Sequence, residues 1–298
     1  MSVVLLLLPD FLLIGTGFAL RRWAHFATPF WAGTERLIYY LLFPALLFRS
    51  LTHLAPLDES WLRLAFVALG FTLAGMLLGM AGKRLLVMPE RQFAACYQCG
   101  FRFNTYIAMA VAGRVEGEAG LAGISLLVGL LVPVVNVGAV AMLARSQGAR
   151  IFAELLRNPL VLACLGAFLW RATGQSLPEP LPRLLDLLAA AALPLGLLTV
   201  GAGLVLRRDV LPMSALIYWN GLKLLVLPAI AFALAIFFDL PPSQTRLAVI
   251  MAAVPTASSA YVLAMRLGGQ GAPVALLISS GTLLGMMTLP LWLTMLGR

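Results

Sequence analysis

Residues 102–110 read Arg102-Phe103-Asn104-Thr105-Tyr106-Ile107-Ala108-Met109-Ala110, a polar interruption in the middle of an apolar stretch. Residues 255–265 echo it as Pro255-Thr256-Ala257-Ser258-Ser259-Ala260-Tyr261-Val262-Leu263-Ala264-Met265. Each leads through glycines into a further apolar run, the first reaching Pro133 and the second Pro290. Upstream, the Leu-rich run around Pro44 has its counterpart in the Ala/Leu-rich run around Pro194. The second half of the chain thus reads as a rewritten copy of the first, each half holding an odd number of apolar runs. A unit with an odd number of membrane crossings inserts upside down the second time. Inverted repeats of this kind place a ligand site where the two copies meet.

Composition sets the class. Of 298 residues, 61% are hydrophobic and 11% charged, and the mean hydropathy is +0.97. Soluble domains carry about a quarter charged residues, so the chain is an all-α polytopic membrane protein. At about 20 residues per crossing, roughly ten helices fit, with short connections and no soluble domain. The periodicity places spans at residues 3–20, 37–51, 61–81, 92–113 and 121–143 in a first repeat, 1–145. A second repeat, 146–298, holds spans from 159, at 184–204, 216–238 and 247–267, and one ending near 296. The first run has no basic residues before it and Arg21-Arg22 after it, so it reads as a retained span and not a cleaved leader.

The net charge of +9 does not indicate nucleic acid, because the basic residues are scattered among connections and form no arm or patch. They serve better as topology signals. Connections after odd spans carry Arg21, Arg22, Arg36, Lys83, Arg84, Arg91, Arg145, Arg150, Arg157, Arg207, Arg208 and Arg266, and those after even spans carry fewer. The positive-inside bias puts the odd connections in the cytoplasm and both termini outside. The stretch from Arg145 to Arg157 reads as a basic surface segment joining the halves.

The fourth and ninth spans lose apolar character midway, at Arg102–Thr105 and Pro255–Ser259. A broken helix in hydrocarbon must satisfy its freed N–H and C=O groups, so such breaks survive inside protein or beside water. Two of them facing each other would present polar side chains and half-helix N-termini, which attract anions. Arg102 could hold a carboxylate in a two-pronged fork, or snorkel and pair with carbonyls at the break. Asn104 and Thr105 are placed to contact a ligand, against helix-interface hydrogen bonding as the alternative. Thr256, Ser258, Ser259 and Gln98 carry the same two readings. Lys223 could travel as a buried counter-charge or snorkel to the surface. Asp10 could take up a proton, but so close to the terminus it is expected at the outer surface. Pro44 and Pro194 are expected to bend their helices. Cys96, Cys99 and Cys164 read as packing residues and not as metal ligands. His25 and His53 lie near span ends and no H-E-x-x-H occurs, so an intramembrane enzyme has no support, and no cofactor is expected.

At these residues the chain resembles the auxin efflux carrier family, the bacterial relatives of the plant auxin exporters. The resemblance runs through Phe43-Pro44-Ala45-Leu46-Leu47-Phe48, Phe103-Asn104-Thr105, Asn158-Pro159-Leu160, Leu193-Pro194-Leu195 with Gly201, and Val254-Pro255-Thr256. It implies ten transmembrane helices in two inverted five-helix repeats, with broken helices 4 and 9 crossing at the site. Helices 1, 2, 6 and 7 would form a scaffold, through which the family is often dimeric. Helices 3–5 and 8–10 would form a transport domain that moves like an elevator. The implied function is secondary transport of a small organic anion across the bacterial inner membrane, with Asn104 on the substrate carboxylate. Proton or sodium coupling stays open, the latter by the wider likeness to sodium-coupled bile acid carriers; a ligand-binding membrane sensor is a further alternative. Relatives place Gly and Pro where Met109 and Val111 stand here, which predicts a milder fourth-span break resting on Gly100 and local polarity. A second proline of the plant members' ninth span is replaced by Ala260.

Overall fold

The computed structural model describes residues 3–54, 56, 58–143, 158–205, 210–266 and 269–297. The junction of the two halves, the segment from Arg145 to Arg157, and Arg207 and Arg208 lie outside the described residues. Among the described residues every regular element is helical. Six helical stretches are long and apolar enough to cross a membrane.

Helix α1 spans Val3–Arg22. α2 (Thr28–Leu37) runs through a widened π turn, Ile38–Leu42, into α3 (Phe43–Thr52). The same construction recurs where α9 (Met213–Gly221) passes through a π turn at Leu222–Val226 into α10 (Leu227–Phe237). In each case a proline, Pro44 or Pro228, stands two residues beyond the wide turn. Proline has no N–H to donate and its ring strikes the carbonyl four residues back, so the wider turn absorbs the misfit without breaking the helix. Pro194, by contrast, lies inside α8 (Leu181–Ala202) with no wide turn recorded in that helix.

α4 (Glu59–Leu85) begins at Asp58, whose carboxylate accepts the N–H of Ser60 at 2.9 Å. The Ser60 hydroxyl donates to the same oxygen, which holds the Asp58 carboxyl below its usual range. α5 (Glu90–Tyr97) tightens into a 3-10 turn at Gln98–Gly100. After a short irregular stretch α6 runs from Thr105 to Leu143, interrupted at Gly117 (φ 62°, ψ −144°), a left-handed backbone that glycine alone adopts cheaply. The chain doubles back there. A Cβ on Gly120 would fall 2.3 Å from the Ala112 carbonyl oxygen, and Ser125 Oγ lies 3.8 Å from Met109 Sδ, contacts that only an antiparallel pair can make.

α7 (Pro159–Ala172) is opened by Asn158, whose Oδ1 accepts the Leu160 N–H at 3.0 Å. α11 (Pro242–Ala253) and α12 (Ser259–Arg266) are the two halves of an interrupted helix, and α13 (Gly271–Met295) closes the chain.

Packing falls into two groups bridged by α6, which also lies against α3 and α7. α1 lies along α8, and α3 packs on α7 and α8. α4, α10 and α11 pack on one another, with α6 and α13 against α11. In the first group the backbones touch: a Cβ on Gly201 would lie 1.8 Å from the Ile14 carbonyl oxygen, and one on Gly17 2.0 Å from that of Leu198. Large apolar side chains such as Leu12, Leu77, Phe237 and Met287 are exposed on the outside, as a lipid-facing surface requires.

Candidate functional site

Two non-helical segments meet inside the protein. On one strand of the crossing the 3-10 turn ends at Phe101 and the chain stays irregular until Thr105. On the other, α11 stops at Ala253 because Pro255 removes the next N–H and forces Val254 into an extended conformation (φ −63°, ψ 143°). The Asn104 N–H donates to the Pro255 carbonyl at 2.7 Å, joining the breaks backbone to backbone. The Thr256 hydroxyl donates to the Cys99 carbonyl at 2.9 Å, and Gln98 Nε2 to the Ala260 carbonyl at 3.0 Å. Three hydrogen bonds thus tie the two interruptions together, which makes the crossing a single unit. The first break is as complete as the second; a milder interruption resting on Gly100 is not what forms. Gly100 serves a different purpose, since a Cβ there would lie 3.0 Å from Leu222 and 3.2 Å from Trp219, so glycine lets the turn press on α9 and its π turn.

Charge gathers at this crossing. Arg102, only 5% exposed, donates from its guanidinium to Ser259 Oγ at 2.9 Å and to Asn136 Oδ1. Its Nε has no hydrogen-bond partner among the described residues. Lys223, 3% exposed, projects from the second π turn and donates its ammonium to the Ala252 carbonyl, in the last turn of α11 where carbonyls lose their helical partners. No acidic side chain is recorded against either cation among the described residues. Two helix N-termini, of α6 at Thr105 and α12 at Ser259, also begin here. Neither cation snorkels to the surface.

Asn104 is 2% exposed, and its Oδ1 accepts the N–H groups of Tyr106 (3.0 Å) and Ile107 (3.2 Å), capping α6. Its amide nitrogen has no hydrogen-bond partner among the described residues. Thr105 opens α6 half-buried, and the Ser258 carbonyl accepts the Tyr261 N–H at 3.0 Å as α12 begins. The crossing therefore brings together Gln98, Gly100, Arg102, Asn104, Thr105, Pro255, Thr256, Ser258 and Ser259, with Lys223 beside them.

Pro44, Pro194 and Asp10 stand elsewhere. Pro44 follows its π turn in α3, next to Phe43, whose ring lies 4.5 Å from that of Tyr106. Pro194 lines a separate open cavity of about 410 Å³ between α1, α3, α6 and α8. Asp10 faces the same cavity and is only 5% exposed, which corrects its expected place at the outer surface. It is held inside because Arg114, on α6, reaches across to it with 3.4 Å between charged atoms.

Two kinds of residue escaped sequence reasoning. Asn136, the partner of Arg102, is one amide in a long apolar run, and only its polarity within a span could have flagged it. Arg49, Arg114, Glu118 and Asp186 stand at or near the ends of their apolar runs, where charge carries no special signal, yet all four line the cavity with Asp10.

Residues 150–293 match the family model described as Membrane transport protein. No curated protein matches the chain. The matched region holds Lys223 and the whole second break from Pro255 to Ser259.

Proposed function

We propose that this chain, a member of the auxin efflux carrier family of membrane transport proteins, is a secondary transporter that binds a small carboxylate at the crossing of its two broken helices. The observation that carries the reading is a pair of buried cations, Arg102 and Lys223, with no acidic partner among the described residues. A cation held within a membrane span costs several kcal/mol unless something neutralises it. An anionic solute supplies that charge, and the N-termini of α6 and α12 add to its attraction.

The fold supports the rest of the reading. Counting α2–α3, α9–α10 and the interrupted α11–α12 as one crossing each, α5 with the first half of α6 as another, and the half of α6 after Gly117 as its own, gives ten crossings. The breaks then fall in the fourth and ninth, as two inverted five-helix repeats require. The tightly packed α1, α3, α7 and α8 are suited to a stationary scaffold, with the dimer contact on their lipid-facing side. The group around α4, α6, α10, α11 and α13 carries the crossing and would move as one piece, like an elevator. With the odd connections in the cytoplasm, the protein sits in the bacterial inner membrane with both termini outside.

Uptake of labelled small carboxylates into proteoliposomes tests the function; retained binding with no flux would turn the reading toward a sensor. Asn104 offers a sharper test of the site. Asn104→Ser keeps an oxygen to cap α6 but loses the amide nitrogen, so folding should be preserved while carboxylate affinity falls about tenfold or more, the worth of a hydrogen bond to a charged group. Unchanged affinity in a well-folded Asn104→Ser protein would remove Asn104 from the site.

A further inference from the structure

The cavity between the two packing groups is bounded by charged residues that pair across it. Arg114 on α6 faces Asp10 on α1, its terminal nitrogen 3.4 Å from Oδ1 and its Nε 3.4 Å from Oδ2. Arg49 on α3 binds Glu118 on α6 at 2.8 Å and also Asp186 on α8. Glu118 stands just past Gly117, and on its other side Glu116 binds Arg246 of α11. The left-handed turn at Gly117 therefore sends one carboxylate back to its own group of helices and the other across to α3.

These two bridges are unequal. The Arg49 pair is short and doubled. The Asp10 pair is longer than an ordinary hydrogen bond, and Asp10 Oδ2 is buried with no hydrogen-bond partner among the described residues. An ionised carboxylate in a span with one oxygen unsatisfied is poorly held, whereas its neutral form is easily accommodated there. The charged groups facing Asp10 across the cavity are Arg114 and Glu118 from α6, Arg49 from α3 and Asp186 from α8. α13, which also packs on α1, contains no charged residue.

We propose that Asp10 is a proton-binding residue and that protonating it opens an ion-pair latch between α1 and α6. Resting on the transporter reading above, this makes the proton the ligand that couples the two groups of helices. With Asp10 ionised, its attraction for Arg114 holds α6 to α1. A proton arriving from water in the cavity binds Oδ2, the oxygen whose contact with Arg114 is an ion pair without a hydrogen bond, and the charge–charge attraction is lost. Arg114 lies ten residues along α6 from Asn104, about 15 Å of rigid helix, so its release is felt at the crossing. The sign is fixed: the latch is closed at high pH and opens as pH falls.

The test is a distance measured in the full chain in lipid nanodiscs. Spin labels on Leu62→Cys of α4 and Leu184→Cys of α8, both exposed, report on the two groups, and the native Cys96, Cys99 and Cys164 are buried. Lowering pH should move the population from one distance toward a second, changing their ratio about fivefold, as expected for a single partly exposed ion pair. Asp10→Asn and Arg114→Gln should each adopt the low-pH distribution at every pH. His53→Gln should leave the response intact, since among the described residues that exposed ring bonds to Thr52 and the Arg49 carbonyl and to no acidic or basic side chain. A pH response that survives in Asp10→Asn, or an Asp10→Asn distribution equal to the unaltered protein's at high pH, would overturn the proposal. Uptake assays report separately: no carboxylate flux alongside an intact pH-driven distance change would sink the transport reading and leave the latch standing.

Discussion

Arg102→Gln is expected to lower carboxylate affinity by about ten- to a hundredfold, corresponding to the roughly 1.5–3 kcal/mol of a hydrogen bond to a charged group. The guanidinium is held by two neutral partners, Ser259 and Asn136, and not by an acid. These partners orient it without cancelling its charge, which leaves that charge for a ligand. Arg102→Lys should fall between the two, because it keeps the charge and loses the planar fork. The diagnostic is the melting temperature measured alongside affinity. Removing a buried, uncompensated cation relieves the fold of a cost, so Arg102→Gln should melt at or above the temperature of the unaltered protein. A lower melting temperature together with equal loss of neutral and anionic ligands would make Arg102 a structural brace.

Gly201→Ala should destabilise the fold by about 3 kcal/mol, at the upper end of what overpacking costs. The added methyl would sit 1.8 Å from the Ile14 carbonyl oxygen, and that obstacle is backbone, which cannot rotate away. α1 and α8 would have to part along the line where Gly17 makes the reciprocal approach to Leu198. Gly17→Ala should therefore be nearly as damaging, and the double variant less than the sum, since helices already parted accept the second methyl more easily. Gly15 is the control, with open space around its missing Cβ. Thermal unfolding in detergent decides the matter: Gly15→Ala should melt like the unaltered protein, and Gly201→Ala far below it. Equal melting of the two would mean that α1 and α8 do not touch as described.

The breaks were legible in the sequence because they are local. Pro255 stops a helix wherever it falls in one, and a cluster such as Arg102–Thr105 cannot sit comfortably in an apolar span. What holds the breaks together was not legible, because its partners are distant in the chain. Arg102 finds Asn136 thirty-four positions on, and Lys223 finds the Ala252 carbonyl, a backbone atom that carries no residue-specific signal. The π turns were hidden too, since the proline after each marks a bend but not how the bend is absorbed. Asp10 misled for a simpler reason. Position near a terminus suggests exposure, and nothing local to α1 reveals that Arg114 reaches it from α6. Gly100 was read as what the fourth-span break rests on, whereas its role is set by Leu222 and Trp219 pressing on it.

The central claim is that the crossing is a site for negative charge, and one comparison addresses it most directly. Binding of a small carboxylate and of its neutral amide, titrated by calorimetry into the same purified protein, isolates charge from shape. The account predicts that the carboxylate binds and the amide binds far more weakly, with that difference shrinking in Arg102→Gln. Equal affinity for both ligands in the unaltered protein would contradict it.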